Sequence, residues 1–366
     1  MNTMDPEPEN AGLNAWKNSM ETKILYISVN SSEFDQSEEF LQCTKDLRSG
    51  ELVIFPTETV YGLGAVINQE KSLKGIYTAK GRPSDNPLIV HISEIDEIWQ
   101  MVEKDPPKLF WKLAEKFWPG PVTFILKKTK GVSDIITGGR ESVAVRFPSN
   151  RIAQRLIKHC GFPVAAPSAN ISGLPSPTRP EHLEEMKGKV KWIIETEPLE
   201  FGIESTIISL LEETPVLLRP GPVTTEKLKE IVPNLNIKKE ITEAIAPGMK
   251  YRHYSPKADV KLIPWKSDRR TFTDIGLNMY QELNRQIHPR RTILICTDET
   301  IEFYKKEGID YISLGSREDL YRVASNLFHV LRTLDKKGID NALIEGFEEK
   351  GLGITIMNRL KKATSK

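Results

Sequence analysis

The sequence predicts an α/β protein with two domains, and three observations lead to this. The chain has 366 residues, which is long enough for two separate hydrophobic cores. In its first part, apolar runs typical of strands repeatedly end in small polar or cationic residues, which indicates one concave site on a twisted sheet. From Val260 onward, helical and strand patterns alternate, which is typical of a small α/β domain with a parallel sheet.

The composition is that of a soluble globular protein and excludes several classes of function. Hydrophobic residues make up 39% and charged residues 28%, and 51 Lys and Arg against 50 acidic residues give a net charge of +1. The chain as a whole is therefore not basic enough to favour nucleic acid as its main ligand. No apolar run approaches membrane-spanning length, so we expect no membrane partner. Cys43, Cys160 and Cys296 are far apart and lack metal-ligand spacing, which predicts reduced thiols in a cytoplasmic protein.

The first regular elements lead into a polar turn. Residues 23–29 (KILYISV) are predicted to form a strand, and residues 32–48 a helix that closes at Gly50. The apolar run 52–55 predicts a buried strand, after which the chain continues through Thr57, Glu58 and Thr59. Gly62 and Gly64 then predict a turn where the backbone can approach a ligand closely.

A basic cluster follows about twenty residues later. Lys80 and Arg82 are held between Gly81 and Pro83, and a second apolar strand ends in His91. Arg offers a planar fork and Lys a point charge, and both suit phosphate oxygens. The alternative is a solvated surface turn. The neighbouring strands and the threonine-rich turn favour a phosphate site.

The middle of the chain alternates between helices and strands. Ser93-x-x-Asp96 resembles a capping box and predicts a helix with Trp99 inside it, and a second helix is predicted at about 107–117. The patterns then predict strands at 122–126, 142–147, 163–167, 207–210 and 216–218. They also predict one more helix, at 224–232.

Polar and cationic residues mark the ends of these later strands. Residues 168–178 (SANISGLPSPT) supply hydroxyls and an amide, although alone they indicate only a turn-rich loop. Arg146 and Arg219 each stand where an apolar strand gives way to proline, and Ser205 directly precedes another strand. Their repetition is what predicts a shared concave site.

The boundaries between the predicted parts come from changes in pattern. Residues 233–258 show no periodic element but contain Tyr251, Arg252, His253 and Tyr254 in a row. Such a cluster is better suited to docking on another surface than to serving as a plain spacer between domains. In the second domain, strands are predicted at 260–263, 292–296, 311–314 and 342–344, with a helical stripe from 320 to 334. The predicted division is a loose N-terminal tail at 1–21, a first domain at 22–232, a linker at 233–258 and a small α/β domain at 259–366.

Missing motifs narrow the chemistry. The sequence contains no Gly-x4-Gly-Lys-Ser/Thr loop, no complete dinucleotide fingerprint, no Gly-x-Ser-x-Gly elbow and no HExxH pair. Covalent serine or cysteine catalysis and a structural zinc are therefore not expected. What remains is positioning and electrostatics, in which cationic side chains hold a polyanion and stabilise charge developing at phosphorus; the candidates are Lys80, Arg82, Arg146 and Arg219.

Several motifs together resemble those of the threonylcarbamoyl-AMP synthase family in its long form, a YrdC-like catalytic domain followed by a smaller C-terminal domain. They occur in the family's order and are PTETVYGLG, KGRPSDNPL, WPGPVTFIL, VAVRFP, APSANISGLPSPT, GIESTI, LLRPG, APGMKYRHYSP and GLGITIMNRLKKA. The resemblance covers nearly everything from Lys23 to Ala363.

The resemblance implies a twisted mixed α/β sheet around a concave basic cavity, with a second small Rossmann-like domain. It implies that L-threonine, bicarbonate and ATP give threonylcarbamoyl-adenylate and pyrophosphate, with Mg²⁺ accompanying ATP. Separate transferase enzymes then pass the threonylcarbamoyl group to the adenosine beside the anticodon of tRNAs, and a weak direct tRNA contact is a further expectation. This nucleotidyltransferase reaction needs no protein nucleophile, only charge neutralisation and close approach of two anions.

The resemblance also assigns site residues. The threonine pocket is expected to contain Thr59, His91, Arg146, Ala166 and Ser205, with Arg146 pairing the amino-acid carboxylate. The nucleotide side is expected to contain Arg82, Asn86, Thr123, Ser168, Ser176, Arg219 and, from the linker acting as a lid, Tyr254. Lys80 and Arg82 are the expected catalytic phosphate partners, and no residue is expected to bind a metal directly.

Two other functions remain open from the sequence. A concave basic surface can serve as a double-stranded RNA-binding module, although the even charge balance argues against this as the main activity. The second is an acyl-adenylating enzyme that uses another amine, because Thr59, His91 and Ser205 cannot by themselves select threonine over serine.

Overall fold

The computed structural model describes residues 20–238, 254–265, 272–285 and 292–365. Most of the predicted tail and the linker residues Tyr251, Arg252 and His253 lie outside these ranges. Within them, no helix is both long and apolar enough to cross a bilayer.

One large mixed sheet organises the first part of the chain. Its order is β1-β8-β2-β3-β7-β4-β6-β5-β9-β10-β11, with both parallel and antiparallel neighbours. The strands are β1 (Lys23–Tyr26), β2 (Val53–Phe55), β3 (Gly62–Val66), β4 (Ile89–His91), β5 (Val122–Lys127), β6 (Ser142–Arg146), β7 (Val164–Ala165), β8 (Trp192–Glu195), β9 (Thr206–Ser209), β10 (Val216–Arg219) and β11 (Asn236–Ile237).

Helices bury apolar stripes against this sheet in two clusters. Phe110 and Leu73 belong to the larger cluster, whereas Phe40 and Leu156 belong to a second one where the first and fifth helices pack together. The helices are α1 (Glu38–Ser49), α2 (Glu70–Lys80), α3 (Lys108–Phe117), α4 (Asp134–Thr137), α5 (Arg151–Cys160) and α6 (Thr225–Lys229).

The prediction of a turn at Gly62 and Gly64 is wrong, because both residues lie in strand β3. This strand pairs antiparallel with β2, so that Gly64 faces Val53. A Cβ atom on Gly64 would lie 2.7 Å from the Phe55 ring and 2.9 Å from Val164, too close for any side chain. Glycine is therefore needed here for close packing, and it hides the side-chain alternation that usually reveals a strand.

The predicted capping box at Ser93 is also wrong. The helix is a short 3-10 turn, Ile95–Gln100, whose N-cap is Glu94, and Glu97 completes a capping box one residue later than predicted. Trp99 is exposed rather than inside. Six residues at about three per turn make only two helical turns, which are too short to bury a full apolar stripe, and Ile98 is the buried residue of this segment.

The first domain extends beyond the predicted boundary at residue 232. Strand β11 pairs parallel with β10, placing Asn236 opposite Val216. Leu235 is buried in the larger cluster. The large sheet therefore includes residues that the sequence assigned to the linker.

The second domain is a small parallel sheet covered by helices. Its order is β12-β15-β13-β14, and all its pairs are parallel, as the Rossmann-like prediction requires. The strands are β12 (Asp259–Ile263), β13 (Thr292–Cys296), β14 (Tyr311–Ser313) and β15 (Asn341–Glu345). The helices are α7 (Phe272–Arg285), α8 (Ile301–Lys306), α9 (Leu320–Lys336) and α10 (Leu352–Thr364).

The two domains share a hydrophobic cluster. Val60 and Ile203 from the first domain pack with Tyr254 and with helix α9 of the second, including Phe328. Arg332 of α9 adds polar contacts by donating to the carbonyl oxygen of Pro175 at 2.6 Å. The second domain is therefore packed directly against the loops that follow strands of the first.

A pair of histidines lies on this domain boundary. The Nε2 atom of His182 is 3.1 Å from the Nδ1 atom of His329, and Glu181 completes a group whose ligand atoms lie within 4.8 Å of one another. Sequence spacing could not reveal this group, because its members are far apart in the chain. Burial first, and then the charge of Arg332, lower the pKa of His182 to about 2. The positive charge of Arg332 and Arg179 also opposes a bound cation.

The buried histidines predict acid sensitivity. Burial lowers the pKa of His91 to about 3 and that of His182 to about 2, so both are neutral when folded, whereas an exposed histidine titrates near pH ~6.5. Above pH ~6.5 the histidines are neutral in the folded and the unfolded protein, and their burial does not oppose folding. As the pH falls below ~6.5, only the unfolded protein takes up protons, so the free energy of unfolding decreases. We expect each to cost about 1.4 kcal/mol of unfolding free energy between pH ~7.5 and ~5.5.

Urea unfolding at the two pH values checks this expectation, with His182→Gln as the matched variant. The variant should lose less stability on acidification than the unmodified protein. Equal losses in both would show that His182 is not the group responsible.

Candidate active site

A cavity that opens to solvent lies between the large sheet and the domain boundary, and polar and charged side chains line much of it. Most of the predicted site residues line it, namely Arg82, His91, Arg146, Ala166, Ser168, Ser176, Ser205, Arg219 and Tyr254. Four do not, namely Thr59, Lys80, Asn86 and Thr123. These four lie just behind the wall, and their contacts show how each relates to the cavity.

Strand register brings residues from three strands side by side. His91 on β4 is opposite Arg146 on β6, and Arg146 is in turn opposite Thr123 on β5. Each of these three neighbouring strands contributes a polar residue at the same end of the sheet. The sequence predicted the polar residues individually, but only the pairing of strands puts them in one row.

Arg146 is held by the turn after β2. Its Nη1 donates to the Thr59 hydroxyl at 2.8 Å, and its Nη2 lies 2.8 Å from a carboxylate oxygen of Glu58. The turn is itself fixed, because the Thr57 hydroxyl donates to the Val60 carbonyl at 2.6 Å. Thr59 thus acts by orienting Arg146. The guanidinium and the Glu58 carboxylate form a buried ion pair beside the cavity.

His91 contributes a neutral ring to the wall. Burial first, and then the neighbouring charge of Arg146, lower its pKa to about 3. The His91 Nδ1 atom lies 3.2 Å from the Ile89 carbonyl oxygen. At neutral pH the ring is therefore uncharged and adds polarity without adding to the positive charge of the cavity.

Ser205 and Arg219 also line the cavity. Arg219 donates from Nη2 to the Ser205 hydroxyl at 3.2 Å and from Nε to the Ser205 carbonyl at 3.1 Å. The Thr123 hydroxyl lies 2.7 Å from the Ser205 hydroxyl and supports it from behind. Burial lowers the pKa of Arg219 to about 10, so its guanidinium remains charged at neutral pH.

Lys80 is not among the described residues that line the cavity, and its role as a phosphate partner stays a prediction. Its ammonium is buried and donates to the carbonyl oxygens of Ser168 and Asn170, both at 2.5 Å. Burial, reinforced by the charge of Arg82, lowers its pKa well below the usual value. In this structure Lys80 holds in place the turn that contains Ser168 and Asn170, which both line the cavity.

Arg82 lines the cavity from a well-fixed position. Its Nε donates to the Asn86 carbonyl at 3.1 Å, and its Nη2 donates to the Pro87 carbonyl at 2.8 Å. Asn86 is buried, and its side-chain oxygen has no hydrogen-bond partner among the described residues. The loop that contains Asn86 therefore orients Arg82.

Glu204 is the most important residue that the sequence analysis missed. It lines the cavity, and one of its carboxylate oxygens accepts a hydrogen bond from Ser176 at 2.6 Å. Burial opposes its ionisation, but the charges of Arg359 and Arg219 outweigh burial and lower its pKa to about 2. Its position directly before Ser205, at the entry to a core strand, was the available signal.

Tyr254 lines the cavity at the domain boundary. Its side chain is buried, and its ring stacks on Phe328 with centroids 5.0 Å apart. Its backbone φ of 67° lies in the left-handed region, which is unfavourable for tyrosine, so the surrounding contacts must hold it there. The next residue, Ser255, donates from its backbone to the Gly173 carbonyl at 3.1 Å.

The cysteines take no part in this cavity. All three are buried and not disulfide-bonded. Burial raises the pKa of Cys160 to about 11, and it also raises the pKa values of Cys43 and Cys296. A buried thiol with a raised pKa is a poor nucleophile.

Comparison with known proteins identifies the family. Residues 45–221 match the Sua5/YciO/YrdC family model, described as "Telomere recombination", and residues 223–365 match the model described as "Threonylcarbamoyl-AMP synthase, C-terminal domain". The chain is 42% identical to threonylcarbamoyl-AMP synthase of Pyrococcus abyssi over 335 residues, covering 87% of this chain and 92% of that relative. The chain belongs to the threonylcarbamoyl-AMP synthase family.

Further relatives match most of the chain. The threonylcarbamoyl-AMP synthase of Bacillus subtilis is 38% identical over 351 residues, covering 94% of this chain and 98% of that one. The crystal structure of Pyrococcus abyssi Sua5 complexed with L-threonine superimposes with a TM-score of 0.82 at 39% identity, covering 94% of this chain and 98% of that one. Both domains and their order are therefore those of the long form of this family.

Proposed function

We propose that this chain makes threonylcarbamoyl-adenylate from L-threonine, bicarbonate and ATP and releases pyrophosphate. This is the first step in forming threonylcarbamoyladenosine next to the anticodon in tRNAs. The observation that carries the proposal is the convergence of three buried arginines, Arg82, Arg146 and Arg219, on one cavity. Three buried cations suit a ligand set that includes a carboxylate, a carbamate and a triphosphate.

The reaction has two steps that this cavity can support without a protein nucleophile. Bicarbonate gives CO₂ and hydroxide, and the neutral amine of threonine adds to the CO₂. The proton that the nitrogen loses joins the hydroxide as water, which leaves a carbamate. A carbamate oxygen then attacks the α-phosphorus of ATP in line, and pyrophosphate leaves. Arg82 and Arg219 would neutralise the phosphates so that the two anions can approach, and positioning of this kind accounts for most of the catalysis expected in phosphoryl transfer.

The threonine side of the cavity follows from the fixed position of Arg146. Its guanidinium, braced by Thr59 and Glu58, would pair with the amino-acid carboxylate, since a planar fork matches a carboxylate. The threonine side chain would lie near His91 and the small side chain of Ala166, which both line the cavity. The neutral ring of His91 can accept or donate a hydrogen bond without repelling the amine.

Mg²⁺ is expected to enter with ATP rather than through protein ligands. Among the described residues that line the cavity, Glu204 is the carboxylate, and it is already engaged by Ser176 and Arg359. Mg²⁺ commonly keeps several waters and binds substrate phosphates. The residues present therefore suit an ion held by ATP, and when bound it would lower the charge on the phosphates.

The later steps belong to other proteins. Threonylcarbamoyl-adenylate is a labile mixed anhydride, so we propose that a separate transferase takes it up and that any direct tRNA contact by this chain is weak. Because tRNA is the eventual acceptor and the three cysteines are not disulfide-bonded, we propose a cytoplasmic location.

Identification of the product tests the proposed reaction. The protein is incubated with ATP, L-threonine and ¹³C-bicarbonate, and the mixture is analysed by mass spectrometry. We expect an adenylate that carries both threonine and one labelled carbon. An adenylate without the label would indicate direct amino-acid activation instead, and serine in place of threonine tests the selectivity for the amine.

Arg82 should make a measurable contribution to the adenylation step. A charge-assisted hydrogen bond contributes roughly 1.5–3 kcal/mol, so we expect Arg82→Ala to slow pyrophosphate release by at least about tenfold. Circular dichroism and thermal unfolding serve as the control for folding. A folded Arg82→Ala protein with normal turnover would remove this residue from the site.

A further inference from the structure

Helix α10 of the second domain places one arginine inside the first domain. The Arg359 side chain is completely buried, and its Nε donates to the Glu204 carboxylate at 2.8 Å. Its Nη2 donates to the Pro220 carbonyl at 3.0 Å, and its guanidinium carbon lies 5.6 Å from the centre of the Tyr254 ring. Arg359 does not itself line the cavity within the described residues, yet it contacts two residues that do.

The contacts of Arg359 fix one wall of the cavity. Glu204 is held from both sides, because its other carboxylate oxygen accepts from Ser176. Tyr254 is likewise held between Arg359 and Phe328. Since Tyr254 has a strained backbone and Glu204 is a buried carboxylate, neither is expected to keep its position without these partners.

Loss of Arg359 would redistribute charge within the cavity. Arg359 and Arg219 both stabilise the ionised form of Glu204. Without Arg359, Glu204 would depend on Arg219, a residue of the proposed nucleotide side. A guanidinium drawn toward a protein carboxylate binds phosphate less well. The threonine side is different, because Thr59, His91 and Arg146 form no hydrogen bond or ion pair with Arg359 among the described residues.

We propose that Arg359 is a positioning residue through which the second domain sets the nucleotide side of the cavity. The inference rests on the proposed function, because it assumes that ATP occupies the side lined by Glu204, Arg219 and Tyr254. It predicts an effect on ATP that is separate from the effect on threonine. A role confined to holding the domains together would not produce this separation.

The test compares Arg359→Gln with Arg332→Gln in the full-length protein. Arg332 is the matched control, since it also joins the domains but donates to Pro175 and Glu185, which do not line the cavity. We expect Arg359→Gln to raise the KM for ATP by about tenfold, equivalent to one hydrogen-bonding contact, and to change the KM for threonine by less than about twofold. Arg332→Gln should leave both KM values within about twofold of normal.

Arg359→Lys and a double-mutant cycle keep the test decisive if Arg359→Gln folds poorly. Lysine retains the charge and should recover part of the ATP affinity. In a Glu204→Gln background, removing Arg359 should raise the KM for ATP less than it does in the unmodified protein, because Glu204 no longer needs a counter-charge. Additive effects in this cycle would overturn the coupling.

Two outcomes separate this inference from the proposed function. If the unmodified protein neither binds ATP in calorimetry nor turns it over, the proposed function fails. If the unmodified protein is active but Arg359→Gln and Arg332→Gln change the two KM values equally, Arg359 merely joins the domains and the inference fails.

Discussion

Replacing Arg146 by glutamine is expected to abolish useful binding of threonine. The side chain would lose both its charge and its fork, which are the two properties that match a carboxylate. We expect the apparent threonine affinity to fall by at least about a hundredfold, or roughly 2.7 kcal/mol, with a much smaller change for ATP. Calorimetric titration with each ligand measures the two effects separately. Arg146→Lys keeps only the charge, so its threonine affinity should lie between those of the unmodified protein and Arg146→Gln.

The same substitution should also destabilise the fold, and this effect must be separated from binding. Glu58 would become a buried carboxylate without its partner, which typically costs about 3–5 kcal/mol. The double variant Arg146→Gln/Glu58→Gln removes both charges and should recover much of the stability without recovering threonine binding. If the double variant bound threonine normally, Arg146 would have only a structural role.

Replacing Tyr254 by alanine is expected to open the cavity at the domain boundary. The ring is buried against Phe328, and truncating a buried aromatic side chain costs roughly 3–5 kcal/mol. An open wall would also admit water to a labile mixed anhydride. We therefore expect less intact threonylcarbamoyl-adenylate for each pyrophosphate released. Product and pyrophosphate measured in the same reaction give this ratio directly.

Tyr254→Phe is the matched control for this effect. Phenylalanine keeps the ring and its stacking but loses the hydroxyl, whose pKa is raised to about 12 by burial and by nearby Glu204. We expect this variant to retain most of the normal ratio of product to pyrophosphate. If the alanine variant also retained the normal ratio, Tyr254 would not act as a lid.

Strands with clear apolar runs were predictable from the sequence. The strand Thr292–Cys296 has the predicted bounds, and Arg146 ends its strand as predicted. These runs are buried on both faces or alternate cleanly, so local pattern and tertiary structure agree. Strand β3 was missed because two of its five residues, Gly62 and Gly64, have no side chain to show a pattern.

The site was predictable where residues stand at strand ends and not where they depend on distant partners. Ser205 and Arg219 could be found in this way, since each adjoins an apolar strand. The sequence predicted Lys80 as a phosphate partner, but it could not show that the buried ammonium donates to two carbonyl oxygens 88 and 90 residues away in the chain. The pairing of Glu204 with Arg359 spans 155 residues and has no local signal in either segment.

Pyrophosphate release from ATP is the most direct measurement of the central claim. It should be followed with neither co-substrate, with L-threonine alone, with bicarbonate alone and with both. Our account predicts rapid release only when both are present, because the attacking group is a carbamate made from the two together. Release that is equally fast with threonine in carefully degassed, bicarbonate-free buffer would contradict the account, since it would mean that the amino acid is activated directly.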